Sequence, residues 1–442
     1  MQVMEAKFGA SGRSVVWCLS QELWAKVFSR LQPIPRPEIH GNTAAFAKQY
    51  SHYQQLQLVC KRFRSVFLQN PALSGQLFLE SRSDLNQDSK ISLFLWMRRY
   101  GASLKIIDVS DRIGDTVLAA LTYADHKLES VSFESPTTTT ICLLSMFTSL
   151  SFCNLRASES GVNLMPLHSL PHLRHLLLSY GHYTNVSVAK LQYLGIKFAD
   201  VTAFSTSSIF VLKGLVLVDC ELRNLHSSGL SALTSLQELV LMNSKIHAGN
   251  VVDDFDCRTL WTGKQPEGLS SLTRLTSLQV SSPRTDTSAL KWVYQLTSLK
   301  ALHLVCFGNV VEVKEKIGQL SNLTSLNFQG AADDTGQGIT GELDLSYEPK
   351  TEVYVRSGVK WQALSSLMHF RVDHATINIG AELLGLVGLK HLQKVEFVGD
   401  CRPAMGHNVR WFAAFVHQMA LQRPSVEIII NEGSVADAVA DL

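Results

Sequence analysis

The chain has 442 residues, of which 46% are apolar and 18% charged, a balance that fills a core and excludes wholesale disorder. Its formal charge of +2 is too even for a nucleic-acid footprint, and leucine stands out with 63 copies. No apolar stretch approaches the roughly 18 residues of a membrane helix; the run from Ile209 to Val218 is interrupted by Lys213.

The first residues hold no apolar block followed by a small-residue cleavage site, so a secretory signal is not expected. Residues 1–100 carry 13 Lys and Arg against 6 Asp and Glu, whereas the remainder carries 27 against 32. The eight cysteines, at 18, 60, 142, 153, 220, 257, 306 and 401, include no CxxC pair. Most lie in or beside apolar runs, which predicts reduced thiols acting as small hydrophobes.

Residues 19–31, LSQELWAKVFSRL, form the first predicted helix. Ser20 can cap it, Leu23, Val27 and Leu31 recur at i+4, and Trp24 and Phe28 widen the apolar stripe. PIPRP (33–37) stops it. A second amphipathic and basic run, YQQLQLVCKRFRSVF, covers 53–67 and leads into NPALSGQLFLE (70–80).

From Leu104 onward a spacing of apolar residues, Φ-x-x-Φ-x-Φ, recurs. It starts at Leu104, Leu128, Leu150, Leu173, Leu191, Leu212, Leu236, Leu275, Leu299, Leu323, Leu367 and Leu392. Most intervals lie near the roughly 20–29 residues of leucine-rich repeats. In each unit the last two apolar positions alternate as a short strand with one buried face. One strand cannot bury that face alone, so the units are expected to stack with a parallel sheet on the concave side. Leucines in segments such as GLSALTSL (229–236) and GLVGLKHL (385–392) close the convex side.

This pattern resembles the leucine-rich repeat family over about residues 100–430. An α/β solenoid of about 12 repeats over 90–432 is therefore expected, with a loose tail at 433–442. The consensus Asn after the strand is mostly replaced: Asn243 follows LVLM, but Asp219 and Cys220 follow LVLV, and Ser stands there in several repeats. That irregularity fits variable intracellular repeats better than regular plant receptor repeats. Two long intervals hold insertions near 245–267 and 330–360, expected as loops, and VEIII (426–430) is expected to cap the open end.

The N-terminal residues carry a second resemblance. LS-x-E-L-x-x-x-V-F-x-x-L followed by L-x-L-V-C-K-R-F-R is similar to the F-box, a helical module that docks onto a Skp-type adaptor of cullin-based ubiquitin ligases. The resemblance places Leu19, Leu23, Val27, Phe28 and Leu31 on the docking face of the first helix. Leu58, Val59, Cys60 and Phe63 match the Val-Cys-x-x-Trp/Phe element. Ser20 replaces the usual Pro, and about 17 residues near 32–49 are inserted, within a module spanning 15–80. ISLFLWMRRYGASLKIIDVS (91–110) is similar to the segment that joins an F-box to repeats. The combination implies a non-catalytic substrate receptor of an SCF-type ubiquitin ligase in the cytoplasm or nucleus. The other reading is a plain repeat scaffold whose N-terminal helices cap the solenoid.

Several groups mimic chemistry. Gly336, Gly338 and Gly341 spell GxGxxG, but in a polar insertion rather than a strand–helix turn, so a loop is expected. His168, His172 and His175 straddle Pro171 and a strand, which argues against a shared metal-binding face. Asp253, Asp254 and Asp256 lack the Gly and distal Glu of a calcium loop and read as a solvated loop. No catalytic motif, cofactor, nucleic acid or membrane partner is expected.

Residues between the buried positions of each strand point to the concave face. They are His175, Leu177 and Ser179; Gly214, Val216 and Val218; Glu238, Val240 and Met242; then Ser277, Gln279 and Ser281. Further on they are Ser325, Asn327 and Gln329; His369, Arg371 and Asp373; Lys394, Glu396 and Val398. The expected anchor for a protein substrate is Leu177, Val216, Val218, Val240 and Met242, with Arg371, Asp373, Lys394 and Glu396 giving orientation. The alternative is that the 245–267 insertion covers this patch.

Overall fold

The structure is a computed structural model. It describes residues 76–79, 94, 104–109, 114–122, 127–158, 161–186, 190–202, 211–225, 233–242, 244–248, 254–256, 269–282, 292–306, 310–313, 315–330, 352–355, 361–373, 376–378, 381–398, 402–403 and 407–430. The chain divides into two units, Met1–Glu134 and Ser135–Leu442.

In the first unit three strands run parallel in the order β1 (Gln76–Leu79), β2 (Ile106–Val109) and β3 (Ser130–Glu134). Ile107, Val109, Val131 and Phe133 are buried, as are Val117, Leu118 and Leu121 of α1 (Gly114–Leu121). Gly114 lets the helix start come close: a Cβ there would meet the Phe133 ring at 2.9 Å. The ladder thus begins at QLFL, upstream of the first full leucine spacing, in residues the sequence places at the end of the helical module.

Among the described residues the second unit is built on eleven parallel strands. They are β4 (Phe152–Arg156), β5 (His175–Ser179), β6 (Tyr193–Lys197), β7 (Gly214–Val218), β8 (Glu238–Met242) and β9 (Ser277–Ser282). The series continues with β10 (Ala301–Cys306), β11 (Ser325–Gly330), β12 (His369–Asp373), β13 (Lys394–Val398) and β14 (Glu427–Ile430). Each strand from β4 to β13 begins two residues after the first leucine of its repeat, and that leucine is at most 2% exposed in every case. The next two apolar positions, such as Leu176 and Leu178, point inward and are fully buried. Each buried leucine contributes about 1.5–3 kcal/mol, which the stacking collects once per repeat.

The insertions leave the ladder unbroken. Thr276 N–H donates to the Gln237 carbonyl at 2.8 Å across the 39-residue interval, and Met368 N–H to Thr324 at 2.9 Å across the 44-residue one. Parts of both insertions are strands rather than loops. Lys245–Ala248 and its antiparallel partner Asp254–Asp256 end a second sheet, which runs through Glu221–Leu225, Asp200–Thr202, His182–Thr184 and Val162–Asn163. Glu352–Val355 pairs with Val310–Val313 and Thr376–Asn378 in a third, parallel sheet. The expectation of a solvated loop therefore fails for Asp254 and Asp256, whose backbone completes a sheet edge; Asp253 lies outside the described residues.

On the opposite side the connections are short 3₁₀ turns, such as Leu269–Ser271 and Ala381–Gly388, plus α2 (Thr138–Leu144) with a Thr137–Thr140 capping box. At the C-terminal end α3 (His407–Gln422) packs Phe412 against Phe397 at 4.9 Å between ring centres. Arg423 then donates to the carbonyls of Leu389, Lys390 and Leu392, so the terminal strand VEIII is preceded by a helix that shares its capping role. The fold is a leucine-rich-repeat solenoid.

Candidate binding face

The solvent-facing side of the eleven-stranded sheet presents three residues per strand. Its first half is apolar and aromatic. His175 lies between Phe152 and Tyr193, with ring centres 6.3 and 5.7 Å away, the second pair stacked. The Tyr193 ring passes over Gly214, where a Cβ would meet it at 2.2 Å, and its hydroxyl donates to a Glu238 carboxylate oxygen. Burial pushes the Tyr193 phenol up, and Glu238 pushes it further. Beside this row Leu177 leans over Gly195, whose missing Cβ would sit 2.6 Å from a leucine methyl. Val216 and Val240 are in register beside Gly195, with Val218 and Met242 one step along the same strands. Leu177, Val216, Val218, Val240 and Met242 are all half-buried, and the structure brings them together as one patch.

The second half is polar and internally tied. Gln279, His303, Asn327, Arg371 and Glu396 stand in register across β9 to β13. His303 Nε2 and the Gln329 amide oxygen are 3.0 Å apart; Arg371 pairs with Asp373 at 2.7 Å, and Lys394 with Glu396 at 2.8 Å. Burial holds the His303 imidazole below its usual range despite the Gln329 bond, with Arg371 adding to the effect. Arg371, Asp373, Lys394 and Glu396 therefore sit together but spend their charges on one another within each strand. At the junction a Gln279 amide N–H reaches the Met242 sulfur at 3.3 Å.

The nine expected adaptor-docking residues, Leu19, Leu23, Val27, Phe28, Leu31, Leu58, Val59, Cys60 and Phe63, lie outside the described residues, as do Gly336, Gly338 and Gly341. The three histidines are separate: His168 is on a 3₁₀ turn with Nε2 3.1 Å from the Asn185 carbonyl oxygen, His172 is exposed, and His175 is in the aromatic row. Among the described residues no cluster of three or more His, Cys, Asp or Glu side chains could hold a metal. Cys142, Cys153 and Cys220 are free thiols. Cys220 is buried, accepts no disulfide partner and lies 3.3 Å from the Ser244 hydroxyl; burial pushes its thiol up to about 12. Cys220 and Ser244 occupy the buried place after the strand that the consensus gives to Asn, one residue beyond Asp219 and Asn243.

Sequence reasoning passed over two features of this face. The repeat starting at Leu191 supplies Tyr193, Gly195 and Lys197, and it is Tyr193 that links the aromatic row to Glu238. The rim after the strands carries an aromatic column: the Arg156 guanidinium lies 4.6 Å over the Tyr180 ring, which stacks on Phe198 at 5.4 Å. A signal for the second sheet does exist, an apolar residue ten positions after the first leucine: Tyr183, Val201, Leu222 and Ile246. Buried Tyr183 shows its use, accepting from the Ala157 N–H and lying 2.9 Å from the Leu155 and Ser179 carbonyls.

No protein-family model matches the chain, and no curated protein matches it in sequence. Solved structures do. A leucine-rich-repeat protein of Leptospira interrogans is 14% identical, with a TM-score of 0.38, over 82% of this chain and 97% of that one. Internalin C2 of Listeria monocytogenes is 15% identical over 50% of this chain and 76% of its own, with a TM-score of 0.31. The ectodomain of the Arabidopsis thaliana receptor kinase GASSHO1/SCHENGEN3, solved with Casparian strip integrity factor 2, is 15% identical with a TM-score of 0.38. It covers 82% of this chain and 45% of that ectodomain. The likeness concerns the fold alone. Among the described residues no helix is long and apolar enough to cross a membrane.

Proposed function

We propose that this chain is the substrate-receiving subunit of an SCF-type ubiquitin ligase. The reading is carried by order along the chain: the F-box-like runs LSQELWAKVFSRL and LVCKRFR stand directly ahead of a repeat ladder that starts at Gln76. Leu19, Leu23, Val27, Phe28, Leu31, Leu58, Val59, Cys60 and Phe63 hold a Skp-type adaptor and through it a cullin. The sheet face holds a protein target, with Leu177, Val216, Val218, Val240 and Met242 as anchor and Arg371, Asp373, Lys394 and Glu396 orienting it. The mechanism is positional: holding target and ligase on one chain raises the effective concentration of target lysines near the charged conjugating enzyme. Such a subunit works in the cytoplasm or nucleus and supplies no reacting group.

The test is co-expression with a Skp-type adaptor followed by size-exclusion chromatography. A 1:1 complex is expected, lost in Leu23→Asp and in Val59→Asp, since each puts a charge into an apolar interface. A complex that survives both substitutions removes the assignment.

A second reading, a repeat scaffold capped by its N-terminal helices, is favoured by one observation. β1 follows LVCKRFRSVF after only eight residues and pairs with β2, which is where a cap would hand over to the ladder. That reading expects no adaptor complex and a solenoid that unfolds when residues 15–80 are deleted.

A further inference from the structure

The strands of the second unit are all entered along one edge of the sheet, where the residue after each first leucine joins a hydrogen-bonded ladder. Gln192 N–H donates to the Arg174 carbonyl, Lys213 to Gln192, Gln237 to Lys213, Thr276 to Gln237 and Lys300 to Thr276, at 2.7–2.8 Å. These positions therefore follow one another at one step per strand, about 4.8 Å apart. From β5 to β10 the residues on either side of the first leucines include Arg174, Lys190, Lys213, Arg274 and Lys300 and no Asp or Glu.

Lys190, Lys213, Arg274 and Lys300 are exposed, and among the described residues none of the four pairs with a carboxylate. The Arg174 guanidinium donates to the Lys190 carbonyl at 3.2 Å, which sets it beside the next repeat. Glu238, one residue inward of Gln237, is engaged by the Tyr193 hydroxyl. The edge is also apolar at its middle: Val211, between Lys190 and Lys213, is 46% exposed. Three residues inward of Arg174 and Lys213 on the same strands lie Leu177 and Val216 of the half-buried patch. Like charges side by side, with open apolar area next to them, are disfavoured in the free chain and are relieved by an anionic, partly apolar partner. The rings next to this edge face one another rather than outward. His175 stacks on Tyr193 at 5.7 Å, and Tyr193 lies over Gly214, so no ring is offered to a nucleic-acid base.

We propose that this edge binds an acidic segment of a polypeptide. Its carboxylates meet Arg174, Lys190, Lys213, Arg274 and Lys300, and its apolar side chains cover Val211 and the neighbouring patch. From β5 to β10 five strand steps cover about 24 Å, which about seven extended residues span. The inference deepens the reading of this face as the holder of a protein target and rests on it.

The experiment follows fluorescein-labelled heptaglutamate on the full chain by fluorescence anisotropy, at about 0.01 M and about 0.15 M salt, with heptalysine and heptathymidylate as comparison probes. Saturable heptaglutamate binding is expected, weakened by salt, with heptalysine unbound. Lys190→Glu with Lys213→Glu should weaken it at least about tenfold, and Lys300→Glu about threefold, with an unchanged thermal midpoint because these side chains are exposed. Lys190→Gln with Lys213→Gln, expected to weaken it about threefold, serves should the double reversal lower the midpoint. Lys197→Glu with Arg223→Glu makes the same charge change on the strand-exit side and should leave binding within about twofold. Absent heptaglutamate binding, binding undiminished in both Lys190/Lys213 variants, or an equal loss in the Lys197/Arg223 variant overturns the site. Heptathymidylate bound more tightly, and lost in the same variants, overturns the polypeptide in favour of a nucleic acid. The adaptor complex of the wild type is scored alongside. Adaptor binding without heptaglutamate binding overturns the edge site alone, and the reverse overturns the ligase reading alone.

Discussion

The two halves of the same sheet solve the problem of an open face differently. From β4 to β8 the face is filled by large side chains lying across glycines: Tyr193 over Gly214, Leu177 over Gly195. From β9 to β13 it carries polar groups, of which His303 lies against Gln329, Arg371 pairs with Asp373 and Lys394 with Glu396, while Asn327 Oδ1 and Arg371 Nε are buried without a hydrogen-bond partner. The first arrangement leaves apolar area to be covered by something else, while the second pairs its charges internally and leaves a buried amide oxygen and a guanidinium N–H unmet. The strands beneath are alike, so the difference lies wholly in the residues that the repeat spacing leaves free.

The largest stability effect is expected where the first half depends on an absent side chain. Gly214→Leu forces the Tyr193 ring off its seat and off Glu238, which should cost about 2 kcal/mol in chemical unfolding. Adding Tyr193→Ala should recover much of that loss, because the two sites share one space. Equal, additive losses would mean that the ring and the glycine are independent and that this row is not held by the space above Gly214.

This row also marks the limit of what the residues disclose by themselves. The strands are legible because a buried leucine two residues ahead and two inward residues recur at fixed spacing, from LRHLLL to LTSLNF. Val216, Val240 and Met242 are legible as an outward patch for the same reason. Tyr193 bonding Glu238 two strands away is not, since it depends on a glycine between them having no Cβ. Nor is the Tyr180–Phe198 column: aromatic residues do not advertise a left-handed turn, which Gly or Asn would. The second and third sheets are not legible because each repeat lends them only two to five residues, too short for a period to show.

In the second half Arg371→Ala should cost about 1–2 kcal/mol, because it removes the guanidinium 2.7 Å from a carboxylate on a residue only 7% exposed. Arg371→Ala with Asp373→Ala should cost less than the sum of the single changes, which a double-mutant cycle measures. A fully additive cycle would show that the polar half is not tied together as its geometry implies.

A smaller effect should appear on acidification. His303 titrates below its ordinary range in the fold, so between that depressed value and the unfolded value of about 6.5 the unfolded chain binds more protons. Stability contributed by the neutral imidazole is complete above pH 6.5 and is lost as pH falls through this window. Asp108 in the first unit works in the opposite sense. Its carboxyl is pushed up to about 6 by burial, against the Ser132 bond and with help from Glu134, so ionisation destabilises the fold as pH rises from about 4 to 6. His303→Gln should flatten the first slope and Asp108→Asn the second; equilibrium unfolding from pH 4 to 8 separates them. Unchanged slopes in both variants would leave these two groups without a role in the pH response.

The smallest change in stability should come from Val240→Asp with Met242→Asp, and it bears most on what the face is for. Both residues are half-buried at the edge of the apolar half, so a carboxylate at either place can reach water, and the thermal midpoint should hold within about 0.5–1 kcal/mol of wild type. The apolar patch, however, would gain two charges that any docked apolar surface would have to desolvate. Capture of a protein partner should fall at least tenfold. A partner retained at full affinity by a folded double variant would place recognition elsewhere, with the rim beside Phe198 as the next surface to probe.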